Sequence, residues 1–289
     1  MDENFEKLFE NPPAKYRGAP FWAWNCKLDK ETMLDQIDYF KEMGMGGFHM
    51  HCRTGLDTKY LSDEFLDFVK CCVFKAKENE LYAWLYDEDR WPSGAGGGFV
   101  TKEEQYRSRC LLFTPTRQDN NAKLLARYDI SLVGGGLNAY RLLGDEESSP
   151  NVWYAYLQIS PKSPWYNNET YVDTLNKKAI ESFIEITHEK YYEAVGEEFG
   201  KTIPAIFTDE PQFQRKTTLG FADVKQDIVI PYTDDFPQSY FAQYGEDFFK
   251  TLPEIFWELP NGAVSVARYR YHDHIAERFA TAFSDTIGN

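Results

Sequence analysis

Short apolar runs alternate with segments whose apolar residues recur every three or four positions, and this rhythm holds for the first hundred residues. Phe21-Trp22-Ala23-Trp24 predicts a first strand. Asp29 then caps a helix running to Met43, with Met33, Ile37 and Phe40 at helical spacing, and Gly44-Met45-Gly46 ends it. Gly47-Phe48-His49-Met50-His51 predicts a second strand. Ser62 caps a helix to Asn79 striped by Phe65, Val69 and Val73, which returns the chain to the strand Leu81–Tyr86. Two βα units and the start of a third describe a parallel sheet with helices outside it.

The rhythm breaks near Arg107. Four strand-like runs follow, Cys110–Thr114, Leu124–Leu132, Leu137–Leu143 and Trp153–Ser160, with Gly134-Gly135-Gly136 as a hairpin turn between the middle pair. They predict a small antiparallel insertion in the third βα loop. A long amphipathic helix, Glu169 to Val195, then leads to a fourth parallel strand at Ile203–Phe207, and the chain from Phe236 onward reads as helical. One further short strand, Ile228–Ile230, is flanked by Asp227 and Pro231.

The expected organisation is therefore residues 1–106 as the first βα units, 107–161 as the insertion, and 162–289 as the continuation with the fourth strand and long helices. The expected fold class is α/β, of the (β/α)₈ type. Such a barrel needs eight strands, so four predict its first half, and the sequence reads as truncated.

Composition narrows the partners. With 289 residues and 43% apolar content the chain can bury a large core. A net charge of −15 argues against nucleic acid or an anionic membrane surface and favours a neutral ligand. Aromatics make up 17% of residues, most of them expected in the core and a minority as stacking platforms. The charged N-terminal stretch Met1–Lys15 has no apolar signal region, no run approaches a membrane span, and a cytoplasmic location is expected. Cys26, Cys52, Cys71, Cys72 and Cys110 form no CxxC pair and suit reduced structural thiols.

Candidate chemistry clusters at strand ends. Thr208-Asp209-Glu210-Pro211 follows the fourth strand and aims adjacent carboxylates out of it. A carboxyl group there, with its pKa raised, can protonate a leaving group. Successive side chains on a strand point to opposite faces, so Asp209 and Glu210 share a direction only if the backbone has left strand geometry by Thr208. Asp87-Glu88-Asp89, after Tyr86, forms a second acidic cluster. Asp87 and Asp89 share a face and could bind sugar hydroxyls or a hard cation such as calcium; for all of these carboxylates, loop capping is the competing explanation. The glycine-rich run Trp91–Gly98 lacks a phosphate-loop ending and reads as a mobile loop with Trp91 as an aromatic wall. His49 and His51 share one strand face, with Arg53 nearby, and suit hydrogen bonding to sugar or the role of satisfied interior histidines. Trp22, Trp24 and Asn25 combine stacking surface with an amide, one of the two tryptophans being expected in the core. Trp165 and Tyr166 are weaker candidates for stacking.

These motifs together carry a resemblance. Pro20–Asn25, Met43–His51, Tyr60–Glu64 and Trp84–Gly94, followed by Phe207–Pro211, resemble the catalytic barrel of glycoside hydrolase family 106 and its α-L-rhamnosidase-like relatives. The resemblance implies a (β/α)₈ barrel, inverting hydrolysis of α-L-rhamnosides, a pair of glutamates and often a calcium ion. By position it makes Glu210 the general acid and Asp209 its supporting residue. Trp22, Trp24, Asn25, His49, His51, Arg53, Tyr86, Asp87, Glu88 and Trp91 become the sugar pocket. The second glutamate has no clear counterpart, although an inverting pair stands ~6.5–9.5 Å apart with water between. Two other functions remain open at this point: a non-catalytic half barrel that binds sugar weakly or only assembles with a missing half, with a homo-oligomer as a further expectation from its unpaired edges, and a metal-dependent amidohydrolase using His49-x-His51, for which further ligands are not obvious.

Overall fold

The computed structural model describes residues 3–118 and 122–289. The chain forms two compact units, each assembled from separated segments. The first comprises Met1–Val100, Ser163–Asn168 and Ser182–Pro211, and the second Thr101–Lys162, Glu169–Glu181 and Gln212–Asn289.

In the first unit, the helix α1 (Glu3–Glu10) precedes β1 (Phe21–Trp24), α2 (Lys30–Glu42), β2 (Gly47–Cys52), α3 (Asp63–Glu78) and β3 (Tyr82–Tyr86). The helix starts are chemically specified: Asp29 accepts the Thr32 N–H and Ser62 the Phe65 N–H, each closing the first turn. The short strand β8 (Ile206–Phe207) completes a four-stranded sheet of order β1-β2-β3-β8, every pairing parallel. β4–β7 belong to the second unit and are defined below.

Alternation assigns one sheet face to the helices. Trp22, Trp24, Phe48, Met50, Ala83 and Leu85 are buried there with Met33, Ile37, Phe65, Val69 and Val73. Trp22 stacks edge-on against Phe40 and Phe48, and Trp24 against Phe65. The opposite face carries Phe21, His49, His51, Trp84, Tyr86 and Phe207, joined by ring contacts across the strands.

The second unit contains β4 (Arg109–Thr114), β5 (Lys123–Val133), β6 (Gly136–Leu142) and β7 (Val152–Ile159), close to the runs predicted from sequence. Gly134 and Gly135, both at positive φ, make the β5–β6 turn in the left-handed region that glycine adopts without strain. Ile228–Ile230 does not extend the parallel series. As β9 (Ile228–Pro231) it pairs antiparallel with β4, giving the order β6-β5-β7-β4-β9.

The helices α6 (Phe236–Tyr244), α7 (Phe248–Thr251), α8 (Val266–Phe279) and α9 (Asp285–Gly288) follow it. Phe236, Tyr240, Phe248, Tyr271 and Ile275 share the sheet's core with Phe113, Tyr128, Trp153 and Trp257. The stretch expected to continue a barrel thus packs on the antiparallel strands.

The single helix predicted over Glu169–Val195 is instead two. Residues 169–176 are not helical: Val172 bridges Arg107 and a turn follows at 174–175. Helix α4 (Lys177–Ile186) then gives way at Thr187 to α5 (His188–Val195). The Thr187 hydroxyl turns back onto the Phe183 carbonyl at 2.6 Å, a local bond that competes with helix continuation. All five cysteines are free thiols, Cys52, Cys72 and Cys110 being buried.

Candidate functional site at the strand ends

The C-terminal ends of β2, β3 and β8 meet in the first unit. His51 lies flat on Tyr86, ring centroids 4.0 Å apart and planes 14° apart, and His49 stacks on Trp84 at 4.9 Å. Burial holds both imidazoles below their ordinary pKa and so favours the neutral form. His51 Nδ1 lies 3.2 Å from its neighbour's carbonyl, Cys52 O, which can only accept. The ring proton of neutral His51 therefore sits on Nδ1, and Nε2 is left as an acceptor facing Asp209.

Asp209 is where the aromatic face meets a carboxylate. Its Oδ2 stands 3.5 Å from the Tyr86 hydroxyl and 3.8 Å from His51 Nε2, and its side chain is 18% exposed. Two bonds to Ser93 fix its backbone: Asp209 N donates to Ser93 Oγ at 2.9 Å, and Ser93 N donates to Asp209 O at 2.8 Å. Glu210 follows with φ 44° and is exposed. This left-handed turn takes the chain out of strand geometry, so the two consecutive carboxylates are not bound to opposite sheet faces.

Behind them Asp87 is fully buried at the end of β3. Its Oδ1 accepts Ser93 Oγ at 2.6 Å, and its Oδ2 accepts Thr208 Oγ1 at 2.6 Å and faces His188 Nε2 at 3.1 Å. Ser93, Thr208 and His188 were not singled out from sequence. His188 lies in a helical stretch with no motif around it, and only the break at Thr187 places it on the first turn of α5, turned toward β3.

Glu88 turns into the loop that follows it. Its carboxylate accepts the backbone N–H groups of Asp89 (2.9 Å), Gly94 (3.1 Å), Ala95 (2.8 Å), Gly96 (2.8 Å) and Gly97 (2.5 Å). Burial pushes this carboxyl up, to about 8, while the backbone donors pull it down. All five partners are donors, so the pocket is built for the ionised form. The glycine-rich run predicted to be mobile is the wrapping of this buried carboxylate. Gly94, Gly96, Gly97 and Gly98 adopt positive φ around it, and most of the run is buried.

Trp91 packs between an aromatic ring and a guanidinium. Its ring meets Trp165 edge-on at 4.6 Å, Trp165 Nε1 donates to Trp91 O at 2.8 Å, and the Arg53 guanidinium lies 4.9 Å over the Trp91 ring. Asp89 accepts Asn167 Nδ2 at 2.9 Å and pairs with Arg90 at 3.6 Å, separate from the partners of Asp87. The shared cation face expected of Asp87 and Asp89 is not formed. Among the described residues no group of three or more His, Cys, Asp or Glu is placed to hold a metal ion.

The aromatic part of the predicted pocket changes most. Residues two apart on a strand share a face, so Trp22 and Trp24 both enter the core behind the sheet, 9% and 2% exposed, rather than one of each. Trp22 Nε1 donates to Gln36 Oε1 at 2.7 Å. Phe21 and Phe207 take their place on the histidine face, Phe21 at 59% exposure. Exposed Asn25 lines a cavity of about 650 Å³ over α2, with Trp22, Trp24, Gln36 and Phe40. The structure thus brings His49, His51, Tyr86, Asp87 and Asp209 together, sets Arg53 on Trp91, and withdraws Trp22, Trp24 and Glu88.

A scan against models of known protein families gives no match, and a search of curated proteins gives none. Among the described residues no helix is long and apolar enough to cross a membrane.

Proposed function

We propose that this protein is a glycoside hydrolase of the α-L-rhamnosidase-like kind, acting in the cytoplasm on a neutral carbohydrate through a (β/α)₈-type site with inversion. The observation that carries the reading is the seat of Asp209. A carboxylate at the end of a parallel strand lies within reach of an acceptor imidazole and a phenol, on a face of stacked aromatic and histidine rings. Such a face stacks on the apolar side of a pyranose while the polar edge orients its hydroxyls.

In this reading exposed Glu210 gives its proton to the glycosidic oxygen as the bond to the anomeric carbon breaks. Asp209, fixed by Ser93 and by the Tyr86 hydroxyl, orients the sugar ring and stabilises its developing positive charge. Water attacks from the opposite side, its proton passing to a second carboxylate. A panel of aryl glycosides, α-L-rhamnosides included, assayed with the wild type and Glu210→Gln tests the reading; equal turnover by both on a poor leaving group removes it.

A second reading is favoured by the sheet edges. β1 pairs only with β2 and β8 only with β3 among the described residues. A sugar-binding module that completes its sheet with another copy of itself would bind the same glycans without cleaving them.

A further inference from the structure

The second unit holds a cavity of about 660 Å³ between the loop Gly262–Val264 and the first turns of α8, lined also by Glu258, Ser265, Arg268, Tyr269, His272 and Asp273. Lys216 reaches this wall, its Nζ 3.1 Å from His272 Nε2. An ammonium only donates, so His272 accepts on Nε2 and carries its own proton on Nδ1. Among the described residues no carboxylate lies within 4.0 Å of Lys216 Nζ. The nearby acids are otherwise engaged: Glu258 pairs with Arg268 at 3.0 Å, and Asp273 accepts the Tyr244 hydroxyl at 2.7 Å.

Arg268 is a fixed part of the wall, because its fork also donates to the Ile255 carbonyl at 3.0 Å and the Trp257 carbonyl at 2.6 Å. Lys216 is held from the other side. Its neighbour Thr217 donates N–H to Val229 O at 2.9 Å and accepts Val229 N–H on its hydroxyl at 2.8 Å, tying the segment to β9. Two cations and an imidazole are therefore anchored beside one cavity in a protein of net charge −15. Burial together with Arg268 pulls the Lys216 ammonium below its ordinary pKa; burial, Lys216 and Arg268 do the same to the His272 imidazole. Arg268 already has Glu258 as its counter-ion, whereas Lys216 has none among the described residues, and a bound anion would supply it.

From this geometry we infer that the cavity is a binding site for a phosphate monoester or free phosphate, with Lys216 and His272 as the donors to its oxygens. On binding, His272 Nε2 takes up a proton and turns from acceptor of the Lys216 N–H to donor toward the anion. The site lies in the second unit and does not depend on the glycosidase reading.

The test is a titration of inorganic phosphate into the full chain at constant ionic strength, followed by the ring nitrogen resonances of His272. Parallel titrations use Lys216→Gln, Lys216→Arg and, as a second anion, acetate. A saturable shift toward the imidazolium position supports the site. Lys216→Gln should weaken binding about tenfold to a hundredfold, the loss of one charge-assisted hydrogen bond, while Lys216→Arg stays within a few-fold of wild type. No saturable shift with wild type, an unchanged affinity in Lys216→Gln, or saturation by acetate and not by phosphate each overturns the inference.

Discussion

His188 Nε2 and Asp87 Oδ2 stand 3.1 Å apart, and the same oxygen accepts the Thr208 hydroxyl at 2.6 Å. The first residue of α5, the end of β3 and the residue preceding Asp209 are thereby locked to one buried carboxylate. The strand-end loops hold their positions through it: Ser93 bonds Asp87 with its side chain and Asp209 with its backbone.

Asp87→Ala is expected to destabilise the fold by about 3 kcal/mol, since it leaves a buried hydroxyl, a half-buried hydroxyl and an imidazole without their acceptor. The loss should be visible as a lower urea midpoint. His188→Ala should cost less, because Ser93 and Thr208 still bind Asp87. Equal stabilities of Asp87→Ala and wild type would show that this carboxylate does not organise the site.

Glu210→Gln is expected to lower glycoside turnover by roughly 10²–10⁴-fold with the thermal midpoint unchanged, because the side chain is exposed and the amide keeps its shape. Asp209→Asn should also lower turnover, with a rise in KM as the contacts to Tyr86 and His51 change. Turnover in Glu210→Gln close to that of wild type would remove Glu210 as the acid.

The parallel strands and their caps were legible because each rests on local signals: Asp29 and Ser62 cap, and the apolar stripes are regular. The strand-end position of the acidic residues was legible too, although the side-chain directions of Asp87, Glu88 and Asp89 were not. What was not legible depends on distant chain. Nothing local reveals that Glu88 will be enclosed by N–H groups six to nine residues downstream, or that His188 will face β3. The β9 strand had the right composition, but its partner β4 lies more than a hundred residues away, and sequence spacing alone does not choose between a parallel and an antiparallel neighbour. Trp22 and Trp24 were assignable together by period: two residues apart, both had to share one face.

Gly97→Ala tests the loop around Glu88. Gly97 sits at φ 65°, its N–H binds Glu88, and an added Cβ would lie 2.9 Å from Tyr60 Cδ1 in a buried setting. A left-handed alanine with that contact should cost about 2 kcal/mol. Gly134→Ala has φ 59° and nothing within 4 Å of the added atom, so it carries the backbone cost alone and should be the milder change. Equal thermal midpoints for the two variants would mean that Tyr60 yields freely.

Open parallel edges predict self-association. Among the described residues β1 and β8 each pair on one side only, and Phe21 on the edge strand is 59% exposed. Light scattering across a concentration series should show a dimer or larger species, and Phe21→Lys should shift it toward monomer. A monomer at all concentrations, with wild type and variant alike, would mean that the edges do not pair between copies.

His274 predicts a pH dependence confined to the second unit. The ring is 3% exposed between α6 and α8, its Nδ1 bound to Gln243 Oε1 and its Nε2 2.8 Å from Ser239 Oγ. Burial, assisted by Arg278, pulls its pKa down to about 4, against the smaller opposing pull of Asp235 and Asp273. The unfolded chain, near 6.5, then binds more protons than the folded one between the two values, so stability rises with pH across that window. The contribution is complete above 6.5 and is lost as pH falls through about 4, amounting to about 3 kcal/mol at most. Asp173, buried and pushed up to about 7, acts in the opposite sense over an overlapping range, so the total curve does not isolate His274. A difference curve does. His274→Asn keeps a donor for Gln243 and cannot titrate, so urea unfolding of the variant and wild type from pH 4 to 7.5 should give stabilities that converge as pH falls. A constant offset across that range would show that the imidazole is not held neutral by its setting.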